Sequence, residues 1–366
     1  MDESSLEQKY FEQKVNMIKL EDKSLRRREK LLSNPVESID LEKIKDVVRL
    51  VRSWGKTSIQ GRCIYACAKV YENMLKDPDR PIIFLGLSGP LIAGGLRKVV
   101  RDMIEYGIVD VIVSTGAILY QDFYNSQGYK HYQGSPQSND AKLRELFIDR
   151  IYDTYVDEIG FLKVDSLIAE IASQLKPKKY STREFLNVLG SYANDAQSIL
   201  YTAYKHGVPI FCPAIADSSI GISLTALYKK AKEEGREVLT IDVIRDNYEI
   251  SQIVLKSKKT AAIYIGGGVP KNYINDAAIM LSYTKGHSYA FQITTDSPHW
   301  GGLTGSTLSE ARSWGKLSKR VKSATAYVEA TVALPLIVGY ILQSGVWRSR
   351  KRVKFVWKDD ELISLQ

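Results

Sequence analysis

The chain has 366 residues, 44% hydrophobic and 25% charged, with a net charge of +9. That is an ordinary soluble globular composition, long enough for one large domain or two smaller ones. No apolar run approaches the roughly 20 residues of a membrane span, and the acidic start MDESSLEQKYFEQ is not a secretory signal. Cys63, Cys67 and Cys212 are too few and too scattered for a disulfide framework, and His131, His206, His287 and His299 show no metal-ligand spacing. These features predict a cytoplasmic protein without a metal centre or membrane partner.

Residues 1–33 are highly charged with a weak helical stripe and read as an arm, ended by Asn34-Pro35. A short amphipathic helix is expected over 41–52 and a longer one over 60–76, with Cys67 on its inner face. Pro81–Leu87 is a continuous apolar run, as a strand buried on both faces would be. Helix 90–106, strand 109–115, helices across 139–206, strand 208–212 and helix 240–257 follow. Strand 261–265, helix 271–282, strand 288–294, a helix carrying Lys316, strand 324–328 and helix 331–344 complete the series. Strands that alternate with helices and lack polar alternation predict a doubly wound, mostly parallel α/β sheet of Rossmann type, with helices on both faces. The basic clusters Arg26–Lys30 and Arg348–Lys354 are expected to be solvated, and no interleaved aromatics suggest nucleic acid.

In such a sheet, ligands bind beyond the carboxyl ends of the strands. Ser88-Gly89, Thr115-Gly116-Ala117, Asp217-Ser218-Ser219, Gly266-Gly267-Gly268 and Thr294-Thr295-Asp296 all follow strand-like runs. Consecutive glycines let a backbone approach a ligand and turn their N–H groups to phosphate; a tight turn needing positive φ is the other reading. Further on, Glu310, Trp314 and Lys316 put a carboxylate, an indole and an amine beside a glycine-rich loop. That set suits a cationic substrate and a lysine nucleophile. Lys316 must be neutral to attack, so burial or nearby positive charge is expected around it. Glu310 has a second reading, as the reciprocal partner of Thr307 in a capping box.

Ser313-Trp314-Gly315-Lys316 together with Ile265-Gly-Gly-Gly-Val-Pro-Lys271 resembles the deoxyhypusine synthase family over roughly residues 35–345. The resemblance implies a single NAD-binding catalytic domain over 34–346, between the arm and a basic tail at 347–366. It implies that Lys316 forms a covalent imine and that Glu310 and Trp314 hold an amine. It also implies that Ser88, Gly89, Thr115, Gly116, Ala117, Asp217, Ser219, Gly266, Gly267, Gly268, Thr295 and Glu329 line the NAD site. Glu329 falls where the family has an aspartate near the adenosine end. A homotetramer of tight dimers is implied as well, with the arm covering the site entrance.

Several substrate-side positions depart from the family pattern. Asn272 stands for a histidine, Ile222 for an acidic residue, and Trp300-Gly-Gly-Leu-Thr-Gly305 lacks both aspartates of the corresponding loop. Asp296 and His299 are offered there instead. The pattern looks like the deoxyhypusine synthase-like branch, in which the cofactor half and lysine are kept and amine recognition is rebuilt. The expected activity is NAD-dependent transfer of an aminobutyl group from spermidine, through Lys316, to a lysine of translation initiation factor 5A. The alternative is transfer to putrescine, giving homospermidine.

Overall fold

The computed structural model describes residues 3–281 and 286–366. Its centre is a six-stranded sheet: β1 (Ile82–Leu87), β2 (Val111–Ser114), β3 (Ile210–Phe211), β4 (Thr260–Ile265), β5 (His287–Ile293) and β6 (Leu317–Ala326). Every pairing is parallel and the order is β6-β5-β4-β1-β2-β3. The sheet is therefore doubly wound: the chain builds outward from β1 in one direction, then from β4 in the other. The switch point lies between β1 and β4, where such folds form their ligand crevice.

The central strands form because their side chains find apolar cover on both faces. Ile83, Leu85, Leu87, Ile263 and Ile265 enter the larger core, while Ile82, Phe84, Ala262 and Tyr264 enter the smaller one. Helices Val47–Trp54, Ile59–Lys76, Arg97–Glu105 and Ala330–Ser344 pack into the first. Helices Val243–Lys256, Gly268–Ala277 and Leu308–Ser313 pack into the second. The register sets Ser114 beside Leu87, Leu87 beside Ile265, Ile265 beside Ile293, and Ile293 beside Ala326. The strand ends are thus level, and the loops beginning at Thr115, Ser88, Gly266, Thr294 and Tyr327 leave from one line.

Four expectations are corrected. Residues 139–206 are not wholly helical: Ile148–Ile151 and Thr154–Asp157 form a small antiparallel sheet with His131–Gln133, which precedes that range. The helix expected from 90 starts only at Arg97, because Gly95, with φ +81°, turns the chain first. The helix expected over 271–282 runs from Gly268 to Ala277, and Ser282 lies outside the described residues. The sixth strand begins at Leu317 rather than 324.

The basic segment after residue 347 is not simply solvated. The Arg350 side chain is 1% exposed and donates to Asp110, Pro81 O and Gly107 O. Arg352 donates to the carbonyls of Ile104 and Glu105. Beyond them a hairpin, Phe355–Lys358 with Glu361–Leu365, buries Leu362 in the smaller core. The arm carries helices Glu3–Asn16 and Asp22–Leu31, and from Lys9 to Leu41 every residue is exposed. Among the described residues, no helix is long and apolar enough to cross a membrane.

Candidate active site

The glycine loop sits at the switch point, and its three amides are already engaged. Gly266 N–H donates to Ile293 O at 2.8 Å, Gly267 N–H to Ser88 Oγ at 2.8 Å, and Gly268 N–H to Thr304 Oγ1 at 3.0 Å. Ser88 Oγ donates in turn to Ile265 O. The glycines are required by proximity: a Cβ on Gly266 would lie 2.4 Å from Ser88 Oγ, and one on Gly267 2.7 Å from Thr304 Cα. Of the two readings of this loop, the tight turn accounts for its N–H groups.

Thr304 belongs to a loop clamped over the glycines. Gln292 Nε2 bridges Gly266 O and Thr304 O at 2.9 and 2.8 Å. Lys271, 1% exposed, donates to Thr304 O, Ser306 O and Ser306 Oγ at 3.1, 2.5 and 3.1 Å. Burial pushes its amine down to about 8, against the opposing pull of the Glu310 and Asp296 carboxylates. Sequence reasoning misses this role, because Lys271 stands out there only as part of the glycine motif and its acceptors lie more than 30 residues away.

Two other helix starts at the same edge are open. Thr115 and Ser218 precede helices Gly116–Ser126 and Ser219–Glu233, and neither supplies a side-chain cap. They stand against each other, since a Cβ on Gly116 would lie 2.3 Å from Ser218 Oγ. Uncapped first-turn amides carry the positive end of the helix dipole. Ala117 and Asp217 are exposed beside them. Gly89, with φ +89°, has open space where its Cβ would be. Glu329 caps helix Ala330–Ser344, its Oε2 accepting from Thr331 N at 2.8 Å. Thr295 is exposed at the end of β5.

Lys316 is not on the helix expected for it. Helix Leu308–Ser313 stops at Trp314, and Gly315 takes φ +75°. Gly315 N–H donates to Arg312 O and Lys316 N–H to Ala311 O, at 3.1 and 3.2 Å. That pair of bonds is a Schellman stop, which needs glycine at its left-handed position. The Trp-Gly-Lys sequence is therefore a helix terminator that delivers Lys316 to the start of β6. Thr307 Oγ1 accepts from Glu310 N–H at 3.0 Å, but the reciprocal bond of a capping box is not formed, and the Glu310 side chain is exposed.

The Lys316 side chain, 14% exposed, lies on helix Gly268–Ala277. Nζ donates to Asn272 Oδ1 at 2.9 Å and pairs with Asp276 Oδ1 at 2.8 Å. Asn272 Nδ2 closes the ring onto Asp276 Oδ2 at 2.7 Å. The Trp314 ring centroid is 5.4 Å from Nζ. Asn272 is four residues past Gly268, about one helical turn or 6 Å along the axis. The structure thus joins Lys316, Asn272 and Trp314, and adds Asp276, which sequence reasoning missed. Its spacing from Asn272, four residues on one helix face, was the available signal. Of the burial or positive charge expected around Lys316, the structure shows the first: its side chain is 14% exposed, and its nearest charged partner is a carboxylate rather than a cation. Asp296 and Glu310 act on Lys271, and His299, exposed, is bonded to Ser297 through Nδ1 at 2.7 Å.

The chain has relatives. Residues 49–341 match the family model for deoxyhypusine synthase. "Probable deoxyhypusine synthase 2" of Methanosarcina acetivorans is 41% identical over 341 residues, 91% of this chain and 97% of that one. The "Deoxyhypusine synthase-like protein" of Chlorobaculum tepidum is 42% identical over 334 residues, covering 88% of this chain and 94% of that one. A crystal structure from Entamoeba histolytica, of a protein assigned as a deoxyhypusine synthase, shares the fold with a TM-score of 0.59 at 20% identity. It covers 89% of this chain and 100% of that one. A sheet wound outward from the Ser88–Gly266 junction, a glycine turn and a lysine on a Schellman stop are what the match spans, and on its extent this chain belongs to the deoxyhypusine synthase family.

Proposed function

We propose that the chain is an NAD-dependent aminobutyl transferase that uses spermidine as donor and a lysine of translation initiation factor 5A as acceptor. The observation that carries this reading is the Lys316 amine. It is delivered by a helix stop onto helix Gly268–Ala277, one turn from the glycine loop, with Trp314 beside it.

The residues at the strand ends fit a dinucleotide, although not as a glycine-loop phosphate cradle. The donors for a pyrophosphate would be the uncapped first turns beginning at Gly116 and Ser219. Ser88 and the glycines would form a close-packed wall, with Gly89 open to the ligand. Asp217, and Glu329 through its Oε1, would accept from ribose hydroxyls. The bound nicotinamide would supply removal and return of a hydride.

Lys316 then does the covalent work. Its neutral Nζ adds to the imine carbon of the oxidised donor. The Nζ–C bond forms, the bond from that carbon to the departing amine breaks, and the proton lost by Nζ leaves on that amine. The acceptor amine displaces Nζ in the same way. Trp314 and Glu310 would hold the aminobutyl ammonium by cation–π contact and ion pairing. Asp296 and His299 stand on the same loop for the donor's other end. Trp300, Leu303 and Trp314 are exposed apolar residues around this mouth. A covering second copy, in a homotetramer, accounts for them.

A second reading, homospermidine synthesis with putrescine as acceptor, is favoured by one observation. Ile222 and Leu303 present exposed apolar side chains at positions where the family pattern is acidic. The test is a product assay with NAD and labelled spermidine, run with unmodified factor 5A, with putrescine, and with both. Label on the protein, lost in Lys316→Ala, supports the first reading. Label in homospermidine alone selects the second, and label in neither acceptor contradicts both.

A further inference from the structure

The carboxylate that holds Lys316 is the wrong neighbour for a nucleophile that must be neutral. A carboxylate within ion-pair distance favours the charged amine, whose lone pair is occupied by a proton. Here the arrangement is closed: Asp276 Oδ1 takes Nζ at 2.8 Å, Asn272 Oδ1 takes Nζ at 2.9 Å, and Asn272 Nδ2 satisfies Asp276 Oδ2 at 2.7 Å. Yet Asp276 is not sealed in. Its side chain is 31% exposed, against 14% for Lys316, and the Trp314 ring that faces Nζ is 64% exposed. An incoming cation can therefore reach the carboxylate from solvent without unpacking the core.

Resting on the reading of Lys316 as the nucleophile, we propose that Asp276 is a cation-exchange carboxylate. It holds the Lys316 ammonium in the free protein and takes an ammonium of the amine substrate when that substrate binds. The exchange places a second positive charge beside Nζ, which favours the neutral amine. The proton leaves Nζ for solvent past the exposed edge of Asp276, so binding one substrate ammonium releases one proton and no covalent bond changes. Lys316 is thus masked until a cationic amine is present. Asn272 is the positioning residue: it orients the carboxylate and gives Nζ a neutral acceptor to remain on. The substrate class this selects carries an ammonium close to the carbon that is to be captured.

The test compares the full-length protein with Asp276→Asn and Asp276→Glu. Each is exposed at neutral pH to an amine-acetylating reagent, and Lys316 modification is followed by peptide mass spectrometry. Lys271, buried beneath the 303–306 loop, reports folding in the same digest by staying unmodified. The expected result is a rise in the Lys316 rate of about tenfold or more in Asp276→Asn without any amine, and a near-normal rate in Asp276→Glu. Equal Lys316 rates in the native protein and Asp276→Asn, with Lys271 still protected, would overturn the proposal. Calorimetry with spermidine, without NAD and in buffers of different ionisation enthalpy, reads the same exchange. Proton release is expected in the native protein and absent in Lys316→Ala; binding without release would also overturn it. Either failure can occur while borohydride still traps an adduct on Lys316, so the proposal can fall with the transferase reading intact.

Discussion

Lys271 belongs to helix Gly268–Ala277 and Lys316 docks onto it, yet the two amines are held in opposite ways. Lys271 is fully buried and donates only to backbone and hydroxyl oxygens of the 303–306 loop. Burial brings it down to about 8, within the range expected of a working nucleophile. Lys316 is reachable, carries a carboxylate partner and stands beside an exposed indole. With Lys316 as the proposed nucleophile, a perturbed titration is not a sufficient mark of a catalytic group. Lys271 is perturbed because it is a structural clamp, and a substrate has no route to it. Lys316 has the route, and its partner is the carboxylate proposed above to be exchanged.

The sharpest way to break this comparison is to remove each amine in turn. Lys316→Ala is expected to lower aminobutyl transfer by roughly a thousandfold or more, as loss of a nucleophile does, with an unchanged melting temperature. Lys271→Met is expected to keep covalent capture at Lys316 but to cost about 1–3 kcal/mol, because the 303–306 acceptors lose their donor. Transfer assays and thermal unfolding of the two variants check both. A reversal, with Lys271→Met losing capture in a stable protein, would exchange the roles.

Buried ions elsewhere should behave as Lys271 does. For the Asp110 carboxyl, burial acts upward, but the Arg350 and Arg80 guanidiniums outweigh it and hold it at about 2. Asp110→Asn leaves Arg350 without its counter-charge, and a loss of about 3–5 kcal/mol is expected in denaturant unfolding. The sign with pH follows from a lowered acid: the contribution is complete above the ordinary value near 4 and is lost as pH falls through about 2. Acid unfolding of Asp110→Asn should therefore be flatter than that of the native chain between those limits.

The helix stop separates the two lysines further. Gly315→Ala forces a side chain into φ +75°, with an expected cost of roughly 1–2 kcal/mol. Because it displaces Lys316, transfer should fall more than stability does, which a melting curve and a transfer assay together resolve. The smallest effect is expected from Trp314→Ala. Loss of about 0.5–1 kcal/mol of exposed cation–π attraction should raise the KM for spermidine a few-fold and leave kcat nearly unchanged.

Much of the frame was legible because the central strands are apolar on both sides. Ile82–Leu87 and Thr260–Ile265 have no solvent face, so their runs are unbroken and easily read. β6 was read only from residue 324, because its first half is a charged edge strand, Leu317-Ser-Lys-Arg-Val-Lys. The final hairpin reads as a tail because a basic run precedes it, although Phe355-Val-Trp and Leu362-Ile-Ser-Leu365 flank an Asp-Asp turn. Arg350 could not be placed from sequence, since its partner Asp110 lies 240 positions away. At the site, the lysine, the indole and the glycine loop were legible as motifs. The capture of all three glycine amides by Ile293, Ser88 and Thr304 was not, because each acceptor arrives from a different element.

Which amine is alkylated separates the two lysines most directly. The protein would be incubated with NAD and spermidine, quenched with borohydride, digested, and mapped by tandem mass spectrometry. A reduced aminobutyl adduct on Lys316, with Lys271 unmodified, is the predicted result. An adduct on Lys271, or none on Lys316 while donor is consumed, would contradict it.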